Sequence, residues 1–91
     1  MPEYLVELYV SRSDGNALRA RVAQAHRAAE ELSSEGTPVR CLRSIFLPAD
    51  ETCLLLYEAD SAAAVREAAG RAALPFERIS EADDHSKGAQ Q

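Results

Sequence analysis

Apolar positions recur at two periods along this chain, and the two periods mark out its elements. From Tyr4 to Val10 (YLVELYV) the even positions Tyr4, Val6, Leu8 and Val10 are all apolar, while Leu5, Glu7 and Tyr9 are mixed. Alternation in a β-branched and aromatic run predicts a strand with one core face and one amphipathic face. Ser11 to Gly15 are turn formers, and Asp14 or Asn16 can cap a following helix. Leu18, Val22, Ala25, Ala29 and Leu32 then fall within one stripe about 80° wide at helical spacing. Glu35-Gly36-Thr37-Pro38 ends that helix, with glycine at the cap and proline just beyond.

The second half repeats the two periods. Val39–Leu47 (VRCLRSIFL) and Thr52–Glu58 (TCLLLYE) read as strands, and the short Pro48-Ala49-Asp50-Glu51 connection makes them an antiparallel hairpin. The leucine run gives the third strand apolar character on both faces. Asp60-Ser61 caps a second helix, with Val65, Ala68, Ala69 and Ala72 along its inner side. Gly70 weakens this helix, and Leu74-Pro75 stops it. Phe76–Glu81 (FERISE) is a short fourth strand. The order strand, helix, strand, strand, helix, strand predicts an α+β, ferredoxin-like βαββαβ fold: a four-stranded antiparallel sheet with two helices on one face. The domain is expected over residues 1–82. The remainder, 83–91, has no aliphatic anchor beyond alanine and is expected to be a disordered tail.

Composition sharpens this picture. Ninety-one residues make one domain, and 46% are hydrophobic, but 17 of them are alanine and Trp is absent. Such a core is thin, so the uncovered sheet face calls for a second subunit: a homodimer, of the dimeric α+β barrel type. A net charge of −5, with both signs mixed along the chain, builds no basic stripe and argues against nucleic acid as a partner. The N-terminus Met1-Pro2-Glu3-Tyr4 has no basic region followed by a long apolar run, and the longest apolar run is too short to span a bilayer. The expected compartment is therefore the cytoplasm, with no membrane partner and with Cys41 and Cys53 as reduced thiols.

Strand alternation also assembles a candidate site. If Tyr4, Val6 and Leu8 face the helices, Leu5, Glu7 and Tyr9 face away. The same alternation allows Cys41, Arg43 and Ile45, and Cys53, Leu55 and Tyr57, to share that open face. Glu7, Tyr9, Cys41, Arg43 and Tyr57 are thus candidate ligand-binding residues. A Glu7–Arg43 pair across an apolar cleft suits a polar small molecule, an ion pair closed inside a dimer interface, or a plain solvated surface. For a metal, His26 has only Glu30 one helical turn away, a sparse pair. Asp83-Asp84-His85 has no fixed geometry. No Ser-His-Asp set and no phosphate-binding glycine loop can be assembled, so no catalytic residue is proposed.

The opening PEYLVELYV, the Ser44-containing second strand, the LYEADSAAAVREAAGRA segment and the closing LPFERISEA resemble a family of small bacterial ferredoxin-like domains of unknown function. That family includes an actinobacterial nickel-binding protein. The resemblance covers roughly residues 2–82 and implies a dimerising domain that binds a small ligand, nickel or another divalent metal. Family members often carry an aromatic and a histidine just before the second-strand serine, where Cys41 and Arg43 stand here. They often carry a cysteine near the middle of the third strand, where Leu55 stands, and histidine where this chain reads Glu67-Ala68-Ala69. The resemblance therefore implies a small binding protein with a degenerate metal site. Two other classes remain open. One is a dimeric α+β barrel enzyme, akin to cofactor-independent monooxygenases or cyclases, using Tyr9, Tyr57 and Glu7 over a cavity. The other is a structural dimerisation module.

Overall fold

The first strand shows how the alternation is realised. In the computed structural model, which describes residues 1–83, β1 (Glu3–Tyr9) buries Tyr4, Val6 and Leu8 and leaves Glu3, Leu5 and Glu7 half-buried on the other side. It is followed by α1 (Gly15–Ser34), β2 (Val39–Leu47), β3 (Thr52–Ala59), α2 (Ala62–Arg71) and β4 (Phe76–Ala82). The four strands form one antiparallel sheet in the order β2-β3-β1-β4. Both helices pack against the even-numbered face of β1. This is the ferredoxin-like α+β plan expected from the element order.

Each helix is bounded by a specific device. Asp14 rather than Asn16 caps α1, its Oδ1 accepting from the Ala17 N–H at 2.9 Å. Ser61 caps α2, its Oγ accepting from the Ala64 N–H at 3.2 Å. Both helices end in the same left-handed motif, in which two backbone N–H groups fold back onto the last turn. In α1 these are Gly36 to Ser33 O and Thr37 to Leu32 O; in α2 they are Ala73 to Gly70 O and Leu74 to Ala69 O. The left-handed residue is Gly36 (φ 106°) in one case and Ala73 (φ 57°) in the other. Ser33 then fastens α1 to β2, its Oγ donating to Val39 O at 2.7 Å while accepting from Val39 N–H at 3.0 Å.

The core has the thinness expected of an alanine-rich chain. Ala25, Ala28 and Ala29 of α1 and Ala64, Ala68 and Ala69 of α2 are all buried. They let the helices sit close to the sheet but bury little area per residue. The large fully buried side chains are Tyr57, Leu8, Leu55, Val6 and Val39 from the sheet, with Leu32 and Val65 from the helices. Full burial of each leucine or valine stabilises by about 1.5–3 kcal/mol, so a few positions carry most of the core. No helix among the described residues is long and apolar enough to cross a membrane. Of the tail expected over 83–91, all but Asp83, His85 included, lies outside the described residues.

Candidate functional site

The open sheet face is where the sequence reading placed the candidate site, and the register decides which side chains reach it. Residues directly opposite on neighbouring strands share a face. Tyr4 pairs with Tyr57, Val6 with Leu55 and Leu8 with Cys53, so the odd residues of β3 lie under the helices. Tyr57 is 0% exposed, as are Leu55 and Cys53. This corrects the placement of all three on the open face. An unbroken Cys-Leu-Leu-Leu-Tyr run leaves the phase of a strand undetermined by hydrophobicity alone. The flanking residues hold the missing signal: Thr52 and Glu58 are both even, both polar and both on the open side.

A bulge makes the second correction. The β2–β3 pairing shifts between Cys41 and Arg43, with Leu42 as the extra residue. Cys41, opposite Tyr57, therefore sits on the helix side, packed against the core. Arg43, opposite Leu56, sits on the open side. Strict alternation through VRCLRSIFL cannot detect an inserted residue. Ile45, opposite Leu54, also reaches the open face, as expected.

The third correction concerns Glu7. Its partner is Arg78 of β4, directly opposite on the neighbouring strand, with Nη2 donating to Oε1 at 3.2 Å. Arg43 lies on the far side of β3. Two strand spacings, roughly 9–10 Å, separate their backbones, and Leu54 and Leu56 stand between. Tyr9 lies on the open face at the end of β1, 56% exposed, with its hydroxyl donating to Glu51 Oε2 at 3.5 Å.

The open face is thus an apolar stripe with charged ends. Across its middle run Ile45, Leu54, Leu56 and Leu5 from β2, β3 and β1. Glu7–Arg78 closes one side, and Arg40–Glu58, at 3.3 Å, stands at another corner. Ile45 and Leu47 are 41% and 38% exposed, large fractions for such side chains on a sheet. Of the five residues expected at the site, the structure brings Glu7, Tyr9 and Arg43 to this face and removes Cys41 and Tyr57. Leu54, Leu56, Arg78, Arg40 and Glu58 were not singled out from the sequence.

The buried pair has its own electrostatics. Desolvation by burial, followed by the nearby Cys53, pushes the Cys41 thiol up from 9.0 to about 11. Burial likewise raises Cys53, and burial with both thiols nearby raises the Tyr57 phenol above its ordinary value. The Tyr57 hydroxyl is buried with no hydrogen-bond partner among the described residues. All three groups stay protonated at neutral pH, and a protonated thiol is a poor nucleophile.

His26 and Glu30 lie exposed on α1. Among the described residues no group of three or more His, Cys, Asp or Glu is placed to hold a metal ion.

Comparison with known proteins places this geometry in a family. The family model described as "Nickel responsive protein SCO4226-like" matches residues 6–82. The chain belongs to this family. It is also similar to the crystal structure of SCO4226 from Streptomyces coelicolor A3(2), at 23% sequence identity and a TM-score of 0.67. The alignment covers 90% of this chain and 96% of that one, and at this identity it shows the shared fold. No curated protein matches. Nickel, which the family description invokes, favours imidazole and thiolate donors. Within one chain the donors described here do not fit it: His26 has one carboxylate neighbour on its helix, Cys41 and Cys53 lie against the core, and no three donors converge among the described residues.

Proposed function

We propose that this chain is a small, non-catalytic binding protein of the nickel-responsive family. It acts in the cytoplasm as a homodimer closed through the open sheet face, with the family's metal capacity reduced. The observation that carries the reading is the open face itself. Leu5, Leu54, Leu56 and Ile45 form an apolar stripe on a sheet whose other face is fully covered by helices, and a thin core leaves that stripe as the main unburied apolar resource of the fold. The flanking pairs Glu7–Arg78 and Arg40–Glu58 have both signs, so two copies can meet without like charges being forced together. Glu7, Arg43 and Tyr9, at the rim of the stripe, are the groups suited to a polar ligand held between the two faces. Protonated Cys41 and Tyr57 supply no nucleophile or base for chemistry.

Sedimentation of the full chain at micromolar concentration, followed by calorimetric titration with nickel, tests this reading. A dimer that Leu56→Glu converts to monomer, with a flat nickel trace, is the expected result. A stable wild-type monomer overturns the dimer. A stoichiometric nickel isotherm weakened by His26→Ala overturns the reduced metal capacity.

A further inference from the structure

On the opposite side of the molecule, an open groove of about 270 Å³ runs between α1 and the C-terminal end of α2. Gln24, Arg27, Ala28 and Glu31 line it from α1, at spacings that put them on one helix face. Arg71, Ala72 and Ala73 line it from α2.

The polar groups of this groove are left incomplete in a specific way. Arg71 is committed, since both of its terminal nitrogens donate to Glu35. Arg27 and Glu31 are opposite charges one turn apart on α1, yet they form no ion pair with each other or with any other described residue. The Gln24 Oε1 atom is buried in the groove wall with no hydrogen-bond partner among the described residues. The C-terminal end of α2 adds the negative pole of a helix dipole. Among the described residues, Arg27 therefore stands without an ion-pair partner beside Glu31, whose charge also acts on Arg71, and beside an unpartnered acceptor.

We propose that this groove binds a zwitterionic ligand of free amino-acid size. Its carboxylate pairs with Arg27, and its ammonium is held by Glu31 and Gln24 Oε1. A simple anion would leave Glu31 and Gln24 Oε1 facing negative charge. A simple cation would leave Arg27 unpaired. Only a ligand carrying both charges completes every group, and the groove has room for the two charged ends and a modest side chain. The site is independent of the open sheet face, so dimerisation and this binding succeed or fail separately.

The test is an amide chemical-shift titration of the full chain with L-alanine and L-glutamine, with acetate and methylammonium as half-ligands. Saturable shifts confined to residues 24–31 and 71–73, from either amino acid, are expected. Each half-ligand should bind at least about tenfold more weakly, because it forfeits one charge-assisted contact. Arg27→Ala and Glu31→Ala should each lower affinity about tenfold with the thermal midpoint nearly unchanged, as both side chains are exposed. Gln24→Leu should lower affinity while keeping or raising the midpoint, since it removes an unsatisfied atom. Absence of saturation with both amino acids overturns the proposal. So does acetate binding as tightly as the amino acids, or an affinity indifferent to Arg27 and Glu31.

Discussion

Glu35 and Arg71 tie the ends of the two helices together through a two-pronged ion pair, with contacts of 2.7 and 2.8 Å. The hydrogen bonds from Arg71, with its positive charge, hold the Glu35 carboxyl below its ordinary value of 4.5. A carboxyl whose folded value is depressed binds its proton more readily in the unfolded chain. Its contribution is therefore present above pH 4.5 and is lost as pH falls through the lower folded value. Glu35→Gln should lower the denaturation midpoint slightly at pH 7 and flatten the acid limb below pH 4.5 in urea titrations. The effect is small because the pair is solvated, and it should shrink further in high salt. A mutant with an unchanged acid limb would show that the pair does not contribute.

The two helix ends perform the same turn with different residues, and that difference is measurable. Gly36 adopts φ 106° with nothing within 4 Å of a would-be Cβ, so Gly36→Ala meets only the conformational penalty of the left-handed region. It should destabilise by about 1 kcal/mol. Ala73 already bears that penalty at φ 57°. Ala73→Gly removes it but adds unfolded-state entropy, for a net gain of a few tenths to about 1 kcal/mol. Chemical denaturation of the two variants should give opposite signs. Equal signs would mean that packing, not backbone conformation, governs these ends.

Tyr57 presents a buried hydroxyl with no partner among the described residues, which is costly to keep. Tyr57→Phe retains the ring and deletes the orphan. It should leave stability unchanged or raise it by up to about 1 kcal/mol, without altering ligand binding on the open face. A loss of more than that would reveal a hydrogen bond to ordered water.

The buried thiols, together with the Tyr57 phenol, contribute to the alkaline limb. Burial pushes the Cys41 thiol up to about 11 from its ordinary 9.0. The unfolded chain therefore loses its proton first, and stability falls as pH rises from 9 to 11. Cys41→Ala should reduce that slope, and Cys41 in the wild type should react with a disulfide reagent at pH 8 more slowly than a free thiol. Rapid reaction would show that β2 opens readily at its edge.

How far the sequence speaks depends on which physical signal each element carries. The order of elements was readable because turns, caps and helical spacing are local. Ser61 at a cap, the Gly36-Thr37-Pro38 stop and the alternation of Tyr4, Val6 and Leu8 are each decided within a few residues. The membership of the open face was only partly readable, because it depends on phase. β1 has apolar residues at every even position and Glu3 and Glu7 among the odd ones, which fixes its phase and puts Glu7 and Tyr9 on the open face. β3 has leucines on both parities, and only Thr52 and Glu58 disclose it. β2 changes phase at the Leu42 bulge, a backbone event without a side-chain signature, so Cys41 and Arg43 part company although they are two residues apart. The Glu7–Arg78 pair joins residues 71 positions apart and follows only from the register of β4.

That phase can be tested by neighbouring leucines. Leu55 is fully buried beneath the helices, whereas Leu54 faces the open side opposite Glu7. Leu55→Ala should leave a cavity in the core and destabilise by about 2–5 kcal/mol, at any protein concentration. Leu54→Ala removes a side chain half-buried in one chain, and should cost under about 1 kcal/mol of monomer stability. If the open face pairs with a second copy, the same substitution weakens association instead. Its effect on the thermal midpoint then grows as the protein concentration is raised into the range where the wild type dimerises. Measuring both variants across a hundredfold dilution separates the two roles. A concentration-independent, large loss for Leu54→Ala would mean that β3 presents its leucines to the core in the opposite phase.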